Sequence, residues 1–124
     1  MKNFKALLAV KNDKWMSLFE EAFREFDFEI HLTSDGKTAF DLARRDKYDV
    51  LLIDDSLSGS LEQKELLLNL RDVKKELPYI MITGPEVKKY SKLWDYCDVD
   101  VAERRRSLVD RIPSILKNIL SSGN

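Results

Sequence analysis

The side chains of this 124-residue chain that could do chemistry are polar groups that directly follow short apolar runs. In VLLIDDSLSG, residues 50–59, four branched apolar residues lead into the adjacent carboxylates Asp54 and Asp55. Carboxylates so placed could coordinate a divalent cation or act as a nucleophile or general base. Other apolar runs lead into the polar residues Lys11, Asn12, Asp13, Thr83 and Glu103.

Five apolar runs alternate with five amphipathic segments along the chain, which is typical of a parallel α/β sheet. We predict strands at residues 6–10, 28–32, 50–53, 79–82 and 98–102. We predict helices at residues 13–26, 35–45, 61–76, 86–94 and 107–120. Asn12 or Asp13 is expected to cap the first helix, and Ser34 or Asp35 the second. Pro113 predicts a kink in the last helix, or a second helix that begins there.

The composition of the strands predicts their order. ALLAV, VLLI and YIMI are apolar on both faces, as central parallel strands must be, whereas FEIHL and DVDVA alternate and fit the edges of a sheet. With right-handed crossovers these constraints give a doubly wound, five-stranded α/β sheet of order 2-1-3-4-5. Ligands of such sheets bind at the carboxyl ends of the strands, where the polar residues above converge.

Length and composition indicate one domain and exclude several function classes. We assign residues 1–121 to the domain and residues 122–124 to the start of a linker or tail. With 21 basic and 22 acidic residues, the chain has no global positive field, so we expect no direct nucleic-acid binding and no membrane contact. The single Cys97 excludes an internal disulfide, and together with the lone His31 it favours a cytoplasmic protein without a zinc cluster.

The site residues and one long stretch carry a resemblance to a known family. Asp54 at the end of DVLLID, Thr83 at the end of PYIMIT, and residues 34–54 (SDGKTAFDLARRDKYDVLLID) resemble the receiver domain of bacterial two-component response regulators. The resemblance covers nearly the whole chain. It implies that Asp54 occupies the place of the phosphoryl-accepting aspartate, and Thr83 that of the hydroxyl that contacts the phosphoryl oxygens.

The same resemblance implies how the domain meets its partners. A histidine kinase or an output domain would contact the surface formed by the fourth helix, the fifth strand and the fifth helix, and the domain could also form a homodimer. Val87, Tyr90, Leu93, Trp94 and Tyr96 supply apolar side chains in this region, some of which belong to the core.

The departures from the family pattern concern the metal site. Receivers carry two acids after the first strand, because Mg²⁺ requires several oxygen ligands, and here these positions are Lys11 and Asn12. The lysine that ends the fifth strand in the family is Glu103, and the aromatic residue three places before it is Asp100. We therefore predict a divergent receiver, or pseudo-receiver, that needs no cofactor and is not an enzyme. The Lys11 ammonium is expected to lie between Asp54 and Glu103 in place of the ion.

Two alternatives remain open. In the first, the chain is a working receiver that a histidine kinase phosphorylates on Asp54, with a rearranged Mg²⁺ site that uses Asp13 and Asp54, and with Arg104 or Arg105 replacing the missing lysine. The simpler interpretation makes Asp13 a helix cap and Asp55 an exposed turn residue. In the second alternative, the chain is a flavodoxin-like domain that binds a nucleotide or cofactor, although the loop VKNDKW lacks the glycines that let a backbone approach phosphate.

Overall fold

A single parallel sheet of five strands forms the centre of the computed structural model, which describes residues 3–74 and 76–122. The strands lie in the order β2-β1-β3-β4-β5. They are β1 (Phe4–Ala9), β2 (Phe28–Thr33), β3 (Val50–Asp54), β4 (Tyr79–Thr83) and β5 (Val101–Glu103). The predicted fold class and strand order are confirmed, with the two alternating strands at the edges.

The helices follow the predicted segments. They are α1 (Asp13–Arg24), α2 (Gly36–Arg45), α3 (Gln63–Val73), a 3₁₀ turn (Val87–Tyr90) that leads into α4 (Ser91–Tyr96), and α5 (Arg105–Ser122). The two predicted N-caps are Asn12 and Asp35, whose side-chain oxygens accept the N–H groups of Trp15 at 3.1 Å and Thr38 at 2.8 Å. No helix in the described ranges is both long and apolar enough to span a membrane.

The end of the chain differs from its prediction. Helix α5 runs through Pro113 without interruption, so the alternative of a second helix that begins at this residue is wrong. Ile112 before the proline and Leu116 after it are both fully buried against the sheet. This continuous packing offsets the lost backbone hydrogen bond, which by itself costs ~3 kcal/mol. Ser122, assigned to a tail, ends α5, and residues 123–124 lie outside the described part of the chain.

The helices cover the sheet in two layers. Alternate residues of each strand face opposite sides. Leu51 and Ile53 of β3 belong to the apolar cluster that includes residues of α2, α3 and α4, whereas Leu52 belongs to the cluster that includes residues of α1 and α5. Asp54 follows Leu52 in this alternation, which places it on the side of the sheet that α1 and α5 cover.

Two side chains outside the site have structural roles. His31 on edge strand β2 lies 2.6 Å from Tyr48 Oη through Nδ1 and 2.7 Å from Glu29 Oε2 through Nε2. Cys97 is buried in the core cluster, and this burial raises the pKa of its thiol. The predictions of a partly exposed edge histidine and of a small buried cysteine are confirmed.

Helix α4 ends with a non-glycine residue in a left-handed conformation. Asp98 has a φ of 58°, which is costly for any residue with a Cβ atom. The N–H of Val99 donates to the carbonyl of Trp94 at 3.0 Å, and the N–H of Asp98 donates to that of Asp95 at 3.2 Å. These two bonds form a Schellman cap, in which glycine is the preferred residue at this position.

We expect Asp98→Gly to raise the free energy of unfolding by about 0.5–1 kcal/mol, because glycine adopts a positive φ without steric cost. Urea denaturation measures the change. Asp95→Gly, an exposed position inside α4, is the matched control and should lower the same quantity by about 0.5–1 kcal/mol. If both variants lowered the free energy of unfolding by the same amount, the claim that the positive φ of Asp98 is strained would be contradicted.

Candidate functional site

Three polar side chains stand side by side at the carboxyl edge of the sheet. Asp54 pairs in register with Thr83, and Thr83 pairs with Glu103. Residues paired across neighbouring parallel strands point to the same face of the sheet. The strand ends therefore bring together the polar residues that the sequence predicts there.

Asp54 is fully buried, and its carboxylate is held by donors of the protein. Arg105 Nε donates to Oδ1 at 2.8 Å, and Arg105 Nη2 donates to Oδ2 at 2.9 Å. The backbone N–H of Ser56 donates to Oδ2 at 3.1 Å, and the hydroxyl of Ser56 donates to the same oxygen. The two parallel bonds from one guanidinium form the strongest type of carboxylate pair in proteins.

The same guanidinium also reaches the second carboxylate. Arg105 Nη2 donates to Asp55 Oδ1 at 2.9 Å. The hydrogen bond to Asp54 raises the pKa of Arg105. Burial raises the pKa of Asp55, the neighbouring Asp54 raises it further, and Arg105 opposes both effects. One side chain in the first turn of α5 thus links the helix to the end of β3.

The structure corrects the predicted position of Lys11. Its side chain is exposed and makes no ion pair with any residue that the structure describes. Glu103, the other expected partner, accepts from Lys88 Nζ at 3.1 Å and Arg111 Nη1 at 3.0 Å. The predicted lysine bridge between Asp54 and Glu103 is wrong, because the planar guanidinium of Arg105 already occupies both oxygens of Asp54.

Asn12 and Asp13 lie at the start of α1 and are exposed. Asn12 caps the helix, and Asp13 is its first residue, so the two alternatives for the cap resolve in favour of Asn12. Within residues 3–74 and 76–122, no three His, Cys, Asp or Glu side chains are grouped so that they could hold a metal ion.

The residues of this site do not fit the Mg²⁺ ion that the resemblance implies. Magnesium requires near-octahedral coordination by oxygen. Both oxygens of Asp54 already accept hydrogen bonds from the cationic Arg105. A divalent cation beside this guanidinium would be repelled. The arrangement holds a carboxylate in place with protein cations and donors alone.

Thr83 is fully buried, and its hydroxyl has no hydrogen-bond partner in the described part of the chain. A buried polar group without a partner costs about 1–3 kcal/mol. A hydroxyl at the end of a strand can instead bond to backbone, but that of Thr83 makes no such bond to the described residues. Among the buried side-chain nitrogen and oxygen atoms of the described residues, the Thr83 hydroxyl is the one without a partner, and Thr83 pairs in register with Asp54.

Gln63 belongs to the site and escaped the sequence analysis. Its side-chain Nε2 donates to the carbonyl of Ile53 at 2.8 Å and to that of Thr83 at 3.1 Å. These bonds join the ends of β3 and β4. The signal that could have found it is its place on the apolar stripe of α3, in helical spacing with the buried residues Leu66, Leu67 and Leu70.

Two further residues shape the strand ends. Gly84 has a φ of 153°, and a Cβ atom there would lie 2.5 Å from the carboxyl carbon of Asp55, so only glycine leaves space for that acid. Asp100 directly precedes β5. Its Oδ2 accepts the N–H of Ile80 at 2.8 Å, which fixes the side chain at the start of the β4–β5 pairing.

No protein-family model and no curated protein matches this sequence. Solved structures do match the fold. The cyanobacterial phytochrome response regulator RcpA, solved in its phosphorylated form, has a TM-score of 0.81 and 17% identity over 98% of this chain and 96% of its own. The CheY-like receiver domain from Methylobacillus flagellatus has a TM-score of 0.79 and 17% identity, over 95% of this chain and 99% of its own.

A third similar structure is the REC domain of the response regulator AraT from Geobacillus stearothermophilus. It has a TM-score of 0.73 and 20% identity over 94% of this chain and 98% of its own. At these identities the likeness shows the fold, and the fold is that of receiver domains.

We expect Arg105→Ala to lower the free energy of unfolding by about 3 kcal/mol, because it leaves the buried Asp54 carboxylate without its cation. Arg104→Ala removes an exposed neighbouring arginine and should change the stability by less than about 0.5 kcal/mol. Urea denaturation measures both. The double variant Asp54→Ala/Arg105→Ala should lose less than the sum of its single variants, since no unpaired charge remains. Additive losses would contradict the ion pair.

A second expectation concerns the pH dependence of stability. The pKa of Asp55 is raised from its ordinary value of 3.8, so the folded chain binds this proton more tightly than the unfolded chain does. The stabilisation that comes from protonated Asp55 is complete at pH values below 3.8, and it is lost as the pH rises through the pKa of Asp55 in the folded chain. Asp55→Asn should therefore be more stable than the original chain at neutral pH, and this advantage should shrink as the pH falls through the folded pKa of Asp55 and should no longer change below 3.8.

Asp35→Asn is the control with the opposite sign. The backbone N–H and the hydroxyl of Thr38 lower the pKa of Asp35. Ionised Asp35 therefore stabilises the fold at pH values above its ordinary pKa, and this stabilisation is lost as the pH falls through the pKa in the folded chain. Urea denaturation of the three proteins across this pH range compares the trends. A pH trend for Asp55→Asn that parallels that of Asp35→Asn would show that burial does not control Asp55.

Proposed function

We propose that this chain is a divergent receiver domain that works as a protein-interaction module in two-component signal transduction, without phosphorylation of Asp54. The observation that carries the proposal is the occupation of both Asp54 oxygens by Arg105. In this proposal the domain is cytoplasmic, is not an enzyme and uses no cofactor.

The chemistry of phosphoryl transfer supports this reading of the site. A carboxylate nucleophile needs a free lone pair, and the charge of the incoming phosphoryl group must be offset by cations. The Asp54 carboxylate is buried and accepts four hydrogen bonds from Arg105 and Ser56. The positions that carry metal-binding acids in receivers hold Lys11 and Asn12. The pocket therefore resembles a closed remnant of a phosphorylation site.

Partner binding in this proposal uses the surface of α4, β5 and α5, with a histidine kinase or an output domain as partner. Part of the apolar material expected there belongs to the core, since Val87 and Trp94 are each 3% exposed. Tyr96 is 58% exposed, and the Arg71 guanidinium lies 4.5 Å from its ring centre. A homodimer through the same surface is a further part of the proposal.

A second candidate function rests on Thr83. Its buried hydroxyl lacks a partner beside Asp54, and a phosphoryl oxygen on that aspartate would supply one. In this candidate the chain is a working receiver, and Arg105 leaves Asp54 when a histidine kinase delivers the phosphoryl group. It requires the ion pair of Asp54 and Arg105 to open, which the leading proposal does not.

Incubation with acetyl phosphate and Mg²⁺, followed by intact-mass spectrometry, tests the proposal. We expect no phosphoryl gain on the original chain, because Arg105 and Ser56 cover the nucleophile. A gain in Arg105→Ala alone would identify the arginine as the block, and Arg104→Ala is the matched control. A gain on the original chain that disappears in Asp54→Ala would overturn the proposal and establish the second candidate.

A further inference from the structure

Near the site lies a group of exposed cations that make no ion pair with Asp54. We name it the basic patch, and it consists of Lys11, Lys14, Arg104 and Arg106, with Lys14 and Arg106 over the ring of Trp15. Lys11 and Lys14 flank the start of α1, and Arg104 and Arg106 flank the start of α5.

Contacts with Trp15 hold the two helix starts together. The guanidinium carbon of Arg106 lies 5.5 Å from the ring centre, and Lys14 Nζ lies 5.7 Å from it. A cation over an aromatic ring at this distance is attracted to it. Lys11 precedes α1 by two residues, and its backbone N–H donates to the carbonyl of Ser56 at 3.1 Å, which ties this segment to the loop after β3.

The cations of the basic patch lack acidic partners. In the described ranges none of the four forms an ion pair, whereas Arg105 between them is paired with both neighbouring acids. The first turn of α5 contains no acid. Even when Arg105, Asp13, Asp54, Asp55 and Glu103 are included, cations outnumber acids by five to four, and Glu103 is already paired with Lys88 and Arg111.

Unpaired like charges at close range repel each other, and an anionic partner would relieve the repulsion. We propose that the basic patch binds an acidic polypeptide segment of a partner protein. Carboxylates of the segment would form planar, bidentate ion pairs with the two exposed arginines. They would pair with the two lysines as with point charges, without a preferred geometry. The inference rests on the proposed function only in taking the partner to be a protein.

The structure favours a polypeptide over a nucleic acid as the partner. Sites for single strands combine cations with aromatic faces on which bases stack. Trp15 already carries two cations over its ring and lies 6.2 Å from the ring of Phe19. The chain as a whole has a net charge of −1, so no extended field attracts a polyanion. A local cluster of four cations suits a short acidic segment.

Titration of the ¹⁵N-labelled chain with an octaglutamate peptide at low salt tests the inference. We expect saturable changes of amide chemical shift that are confined to residues 11–15 and 104–106. The affinity measured from these changes should fall as salt is added. The charge-reversal variant Lys14→Glu/Arg106→Glu should weaken binding at least ~10-fold. Lys37→Glu/Lys47→Glu makes the same charge change at two exposed lysines outside the basic patch, and it should alter the affinity by less than about 2-fold.

Three results would overturn the inference: no saturable shift, equal weakening in both reversal variants, or tighter binding of an octauridine strand than of the peptide. Lys14→Gln/Arg106→Gln, which removes charge without reversing it, should weaken binding less than the reversal does, and it replaces that variant if the latter does not fold. The phosphoryl assay on Asp54 is independent of this titration. Failure of the basic patch and failure of the proposed function are therefore distinguished.

Discussion

The ion pair between Asp54 and Arg105 is the interaction on which the site depends. A fully buried carboxylate is expensive unless a cation and further donors compensate it. Here the compensation comes from a residue 51 positions away in sequence, which reaches Asp54 from the first turn of α5. The end of the central strand and the start of the last helix are therefore held together by charge as well as by the apolar layer below them.

Other polar groups at the strand ends are satisfied in similar ways by the protein itself. Gln63 donates hydrogen bonds to the carbonyls at the ends of β3 and β4, and Ser56 donates to the carboxylate of Asp54. Gly84 leaves the space that Asp55 occupies. The hydroxyl of Thr83 is the exception among these groups, and Thr83 lies beside Asp54. The structure combines a receiver fold with a carboxylate that the chain neutralises internally.

Charge divides the carboxyl end of the sheet into two regions. Arg105 and the adjacent acids form a compensated centre, whereas the two cations over the ring of Trp15, outside it, form no ion pair with any residue that the structure describes. The first region compensates the buried Asp54 carboxylate with groups of the protein, and the second is the surface that we propose for an anionic partner. The two regions share the starts of α1 and α5, so a partner on the outer one would contact the elements that position Asp54.

The sequence alone determined the layered α/β fold and the strand order, and it limited each of the first two helix caps to a choice of two neighbouring residues, because these features depend on local periodicity and local hydrogen bonding. It also identified Asp54 and Thr83 as residues at one edge of the sheet. It did not identify the cation that pairs with Asp54. Lys11 and Arg105 both lie near the carboxyl end of a strand, and only the packing of α5 on α1 and the sheet decides which side chain reaches the carboxylate.

The same reason explains the residues that sequence analysis placed wrongly or missed. Gln63 is an ordinary helix residue until the ends of β3 and β4 lie beside it, and α5 passes through Pro113 because residues on both sides of the proline pack on one sheet. Whether two side chains far apart in sequence form a contact depends on the distance between them in the folded chain. Patterns along the chain determined which groups lie at the edge of the sheet, and tertiary structure decided which of them meet.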